Sequence, residues 1–332
     1  MTSKENETVS VSANSAADNV SQVNEFQSND LRTKESNLEK FSRQKKAFER
    51  IPQIIFLICG LCAVTFVLAI SIYLIISGIP AIREIGLTKF LFGRVWKSTA
   101  KVNPQFGILP FILTSIYGTA GAVILGVPIG LMTAIYLSKM APTGPAKVIQ
   151  TAVQLLAGIP SVVYGLVGMI VLVPAIQKIF KLSSGATLLA AIIVLAIMIL
   201  PSIINVSVTA LNAVPKEYED ASLALGATET ETYMKVSVHA ARSGIAASIV
   251  LGVGRAIGEA MAIIMVSGNV ANMPGLLKSV RFMTTAIASE MSYASVGSLQ
   301  RNALFSIGLV LFLFIMLING VLNALIRGKG DK

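Results

Sequence analysis

The sequence predicts an all-α integral membrane protein, and three observations carry that prediction. Of its 332 residues 54% are hydrophobic and 13% charged, about half the charge of an ordinary soluble domain. The charges are unevenly spaced, leaving apolar gaps long enough for the ~20 residues that cross a hydrocarbon core as a helix. Prolines and glycines fall inside those gaps, where neighbouring helices satisfy freed carbonyls and backbones pack closely.

The gaps give six spans. The first lies near 53–78, before Arg83, and the second near 108–137, with Pro110 and Pro128 inside it. The third lies between Lys147 and Lys178 and the fourth between Lys181 and Lys216. The fifth, 243–268, contains Arg255 and Glu259, the only charges within any of the six. The sixth runs between Arg301 and Arg327, so the membrane domain covers 53–327. Gly118, Gly121, Gly126 and Gly130, then Gly158, Gly165 and Gly168, mark surfaces where helices approach closely. The uncharged run FMTTAIAS is too short to cross and reads as a surface or re-entrant helix.

Ahead of the spans, residues 1–40 are rich in Ser, Asn, Glu and Thr and read as a disordered tail on the cytoplasmic side. Residues 41–52 read as a basic helix lying on the inner membrane surface. About fifty residues with many acids before the first apolar run argue against a cleaved signal peptide. The net charge of +10 raises the possibility of nucleic acid. Seven basic residues between Arg32 and Arg50 sit where an anionic membrane face would meet them, so no nucleic-acid partner is expected. Cys59 and Cys62 have a redox or half-zinc spacing, but inside an apolar span without a second pair they read as small buried hydrophobes. With both termini inside, the inner segments from Arg32 onward carry 15 Lys and Arg against 10 outside. That bias favours cytoplasmic termini.

Between the fourth and fifth spans lies the longest polar inner loop, 214–241. Pro215 followed by Glu217, Glu219 and Asp220 starts a helix, Ala221, Leu223 and Leu225 give it an apolar side, and Gly226 ends it. Thr228 and Glu231 have the spacing of a capping box opening a second short helix. Such a pair is shaped to fit a groove in another protein.

Asp220, Ala221, Ser222, three residues, Gly226, Ala227, and then Val236 to His239 resemble the EAA loop of ABC-importer permeases, E-A-A-x3-G-x9-I-x-L-P. Asp220, Ser222, Val238 and His239 stand where the pattern has Glu, Ala, Leu and Pro. The strings FGILPFILTSIYGT, LLAGIPSVVYGLVG, ALGATETETYMKV, GRAIGEAMAIIMVSGN and NALFSIGLVLF extend the resemblance over about residues 50–326. Together they are similar to PstC-type permease subunits of phosphate importers. The resemblance implies a six-helix MetI-like fold in a bacterial inner or plasma membrane. It also implies a second, PstA-like permease, a dimer of PstB-like ATPases docked on the loop, and an external PstS-like phosphate-binding protein. Glu219, Asp220, Ala221, Gly226 and Ala227 would then form the ATPase-coupling surface. No G-x4-G-K-[ST] run occurs, so neither a cofactor nor ATP hydrolysis by the chain itself is expected. The glycines around Arg255 lack the spacing of a dinucleotide site.

Arg255 and Glu259, at i and i+4, lie on one helical face, close enough to pair. Arg before Glu is, however, the less favourable order for supporting a helix. Two readings stay open: a structural one, in which both charges are spent on each other and on neighbouring backbone and fix how the fifth helix meets its partner, and a functional one, in which Arg255 faces the path of an anion and Glu259 holds it. The wider alternatives are a permease for sulfate or molybdate, a stand-alone channel or secondary transporter, and a membrane scaffold or sensor.

Overall fold

A computed structural model describes residues 52–100 and 102–327; the predicted tail and nearly all of the basic surface helix lie outside them. The chain divides into two units at Ile70 and Ser71. Helix α1, Pro52–Ile85, extends through the boundary. In the first unit its side chains are exposed, Cys59 and Cys62 among them as free thiols. The cysteines were expected to be buried. A face offered to lipid is as apolar as a protein core, so sequence alone does not separate the two.

In the second unit α2 (Leu87–Phe92) leads to a two-stranded ribbon, β1 (Trp96–Lys97) antiparallel to β2 (Gln105–Phe106). Then α3, Leu109–Ile135, starts with Pro110 in its first turn, where a missing N–H costs nothing, and ends in a π-turn, Tyr136–Met140. Next come α4 (Thr143–Gly158), α5 (Ser161–Val167), a π-turn at Gly168–Leu172, α6 (Val173–Phe180) and α7 (Leu188–Asn212). The polar loop contributes α8 (Lys216–Ala224), α9 (Glu229–Glu231), a π-turn at Thr232–Ser237 and α10 (Val238–Ala240). The chain continues as α11 (Arg242–Gly258), α12 (Met261–Val266), α13 (Met283–Glu290) and α14 (Leu299–Arg327). Among the described residues five helical stretches are long and apolar enough to cross a membrane. A sixth is reached if Glu229–Ala240 and Arg242–Gly258, bent by 73°, form one crossing.

Two expected spans differ. The third was drawn from the Lys147–Lys178 gap, but α4 is a separate helix and the crossing is Ser161–Phe180. Pro160 disfavours helical backbone at Ile159, which is extended at φ −70°, ψ 127°, so α4 stops and α5 begins after the proline. The fifth, expected as one helix over 243–268, is broken: Glu259 is extended at φ −72°, ψ 133° between α11 and α12.

The bundle centres on α7, packed between α3 and α11 around Leu195, Met198, Ile199 and Ile203. Helices in lipid gain little from the hydrophobic effect, so close van der Waals contact must hold them. The glycine stripe of α3 provides it. A Cβ on Gly121 would lie 2.7 Å from Ile192, one on Gly126 2.8 Å from Ile199, and one on Gly130 2.8 Å from Ile203. Gly165 and Gly168 act likewise against Ala262 and Val266 of α12, whereas Gly158 faces open space. The end of α1 docks on α14, where Ser306 Oγ donates to the Gly78 carbonyl at 2.6 Å and Tyr73 meets Phe305 edge-on.

Candidate functional site

The break between α11 and α12 answers the objection that Arg255 precedes Glu259. Arg255 stands in the last turn of α11, at the negative end of that helix. Glu259 follows the break, and its Oε1 accepts from the Ala262 N–H at 3.0 Å, capping the start of α12. Each charge therefore sits at a helix end of complementary sign, in the order that a broken helix favours and a continuous one does not. They do not pair with each other. The ion pairs among the described residues are Lys139–Glu219, Lys235–Glu231 and Arg281–Glu290. Arg255 Nη1 instead donates to Ser202 Oγ of α7 at 3.3 Å. A guanidinium has five N–H donors, and this is the one hydrogen bond it forms among the described residues. Both side chains are half-buried. The site is thus a half-buried cation with uncommitted donors beside a carboxylate fixed by backbone.

The break is held from the other side by α13, the short helix that the run FMTTAIAS predicted. Thr284 Oγ1 donates to the Glu259 carbonyl at 2.7 Å, using an acceptor that the broken helix leaves free. The other end of α13 carries a cluster that the sequence reading missed. Glu290 accepts from the Trp96 indole at 3.0 Å, from Ser98 at 2.7 Å and from Gln300 at 3.3 Å, and it pairs with Arg281. Arg281 also donates twice to the Asn269 carbonyl, at 3.0 and 2.8 Å, and lies over the Phe111 ring. A cavity of about 800 Å³ adjoins the cluster, with Arg94, Lys97 and Tyr293 in its wall. The available signal was opposite charges bracketing FMTTAIAS, Arg281 before it and Glu290 after it.

At the opposite end of α3 the loop forms the predicted helix, turn and helix. Gly226 has φ +87°, the left-handed conformation that ends α8 at little cost in glycine, and a Cβ there would meet nothing within 4 Å. The Thr228–Glu231 capping box is formed in both directions. Asp220, Ala221 and Gly226 are exposed, as are Tyr218 and Leu225. Glu219 and Ala227 are half-buried. Three of the five expected coupling residues therefore present an open face, and two are half-buried.

Residues 126–329 match the family described as binding-protein-dependent transport system inner membrane component. The probable ABC transporter permease protein YqgH of Bacillus subtilis is 39% identical over 285 residues, 83% of this chain and 92% of the relative. The phosphate transport system permease protein PstC of Haemophilus influenzae is 36% identical over 74% of this chain and 82% of its own length. In fold, the chain is similar to a crystal structure of a bacterial alginate ABC transporter bound to its periplasmic protein. That likeness has a TM-score of 0.56 at 15% identity, over 78% of this chain and 88% of the other. An inward-facing MetNI methionine transporter gives 0.53 at 19% identity, over 67% and 95%. These last two likenesses show the architecture alone; with the sequence relatives and the matched family, they place the chain among the binding-protein-dependent transport system inner membrane components, as a multi-pass membrane protein of MetI-like permease fold.

Proposed function

We propose that this chain is a permease subunit of an ATP-driven inorganic phosphate importer. The observation that carries the reading is Arg255 at the break of the fifth span, half-buried and with most of its donors uncommitted. A planar guanidinium matches a tetrahedral oxyanion through paired N–H bonds. Glu259, held on α12, limits how tightly the anion is retained, since a carrier must release what it binds. Relatives named phosphate transport system permease protein PstC support phosphate as the cargo.

In this reading both termini and the 214–241 loop are cytoplasmic, and Glu290 lies toward the outer face. The exposed side of α8, with Asp220 and Ala221, together with the turn at Gly226, receives one ATPase of a PstB-like dimer. A PstA-like permease completes the path, and a PstS-like protein delivers phosphate from outside. The chain holds no cofactor, and ATP is bound by the ATPase. Co-expression with these partners should yield a complex that takes radiolabelled phosphate into vesicles only when ATP and binding protein are supplied, without competition from excess sulfate or molybdate. Uptake of sulfate or molybdate instead would shift the assignment to another oxyanion. Purification without an ATPase would favour a channel.

A further inference from the structure

The end of α3 and the helix α8 meet through one carboxylate. Lys139 Nζ lies 2.6 Å from Glu219 Oε1, with the side chains only 11% and 14% exposed. The same oxygen accepts from Ser237 Oγ at 2.8 Å, and Ser237 is fully buried. Beside it, the Ser222 and Thr232 hydroxyls are 2.9 Å apart, fastening α8 a second time to the segment that leads into α11. Lys139 and Ser237 both stand in π-turns, a rare backbone form that recurs at functional positions. Beneath them Ala134, Ile135, Leu211, Val214, Ala241 and Ile245 form one buried cluster joining the ends of α3, α7 and α11.

Neighbouring side chains on α8 face the other way: Glu217, Asp220 and Ala221 are exposed. We propose that Glu219 is a positioning residue rather than a partner contact. Its carboxylate ties the docking helix to the end of the second span and to the lead-in of the fifth, so that movement of α8 reaches both spans together. The proposal rests on the reading of α8 as the ATPase-docking helix. A sheltered ion pair is weakly screened by salt, and separating it would strand a charge in poor solvent. Lys139 therefore follows Glu219 when α8 is displaced. Lys139 ends a continuous rod, Leu109–Met140, and α11 carries Arg255. One carboxylate thus links the cytoplasmic loop to both the second span and the broken one.

The test is the ratio of phosphate transported to ATP hydrolysed by the assembled transporter in vesicles. Glu219→Gln and Lys139→Met are each expected to lower that ratio about tenfold while the ATPase still co-purifies. The exchange Lys139→Glu with Glu219→Lys is expected to recover most of it, because a lysine at 219 can still bond the Ser237 hydroxyl. Three outcomes overturn the proposal. They are an unchanged ratio in the single variants, loss of the ATPase from Glu219→Gln, and an exchange that fails to restore transport, whether or not the chains assemble. Gly226→Trp tests the underlying reading separately, since it strains only the exposed turn. If that variant binds the ATPase and couples normally, α8 is not the docking helix, whatever the Glu219 variants do.

Discussion

Arg255→Lys is expected to abolish most ATP-driven phosphate uptake while leaving the amount of assembled complex unchanged. Lysine keeps the charge at the end of α11, so the favourable interaction with the helix end survives. What it loses is the planar fork. Each charge-assisted hydrogen bond is worth about 1.5–3 kcal/mol, so losing one that forms at the transport barrier slows uptake by about 10- to 160-fold. Ser202→Ala separates this from a structural effect. It removes the one hydrogen-bond partner that Arg255 has among the described residues and should change uptake by no more than a fewfold. Lysine at 255 with normal uptake would show that the anion does not meet the fork. The break also changes what the double variant should do. Arg255 and Glu259 are not a pair, so removing both should not restore what removing one destroys; recovery in Arg255→Met with Glu259→Gln would mean that they pair during the cycle.

The spans were legible because long charge-free gaps and proline positions report on helices directly. α3 lies within two residues of the expected 108–137 at either end, and α7 falls inside the gap between Lys181 and Lys216. The loop was legible as well, since Pro215, Gly226 and the Thr228–Glu231 spacing act within a few residues of one another. Breaks inside apolar text were harder. Ile159 is stopped by the following proline, a local rule that a count of charges passes over. Glu259 leaves the helix without a proline, and what favours the break is non-local: Thr284, 25 residues on, takes the carbonyl that α11 no longer uses. Long-range polar contacts were not legible at all. Trp96 and Glu290 are 194 residues apart, and no local pattern pairs them. Lys139 and Glu219 were both visible as charges in loops, yet only folding shows that Glu219 turns inward while Asp220 stays exposed.

Glu290→Ala is expected to be the most damaging change on the side of the bundle away from the loop. The carboxylate receives Trp96, Ser98, Gln300 and Arg281, with its side chain and that of Arg281 only 15% and 17% exposed. Removing one member of a buried pair typically costs about 3–5 kcal/mol, because the other charge stays behind without compensation. Arg281 keeps its bonds to the Asn269 carbonyl, so it cannot readily swing into water. The purified complex should therefore lose its monodisperse state at a clearly lower temperature on heating. Glu290→Gln keeps an acceptor for the indole and the hydroxyl and should be milder. Replacing Arg281 with Met in the Ala variant should recover part of the loss, the coupling expected of contacting charges; additive losses would mean that the two act independently. The damage should also reach the candidate site. Glu290 ends the helix whose Thr284 holds the Glu259 carbonyl, so loosening that end frees the other. Uptake per assembled complex, measured at a temperature where the variant remains intact, should fall as well. If uptake is normal in complexes that survive, the Glu290 cluster stabilises the fold without steering the break at Glu259.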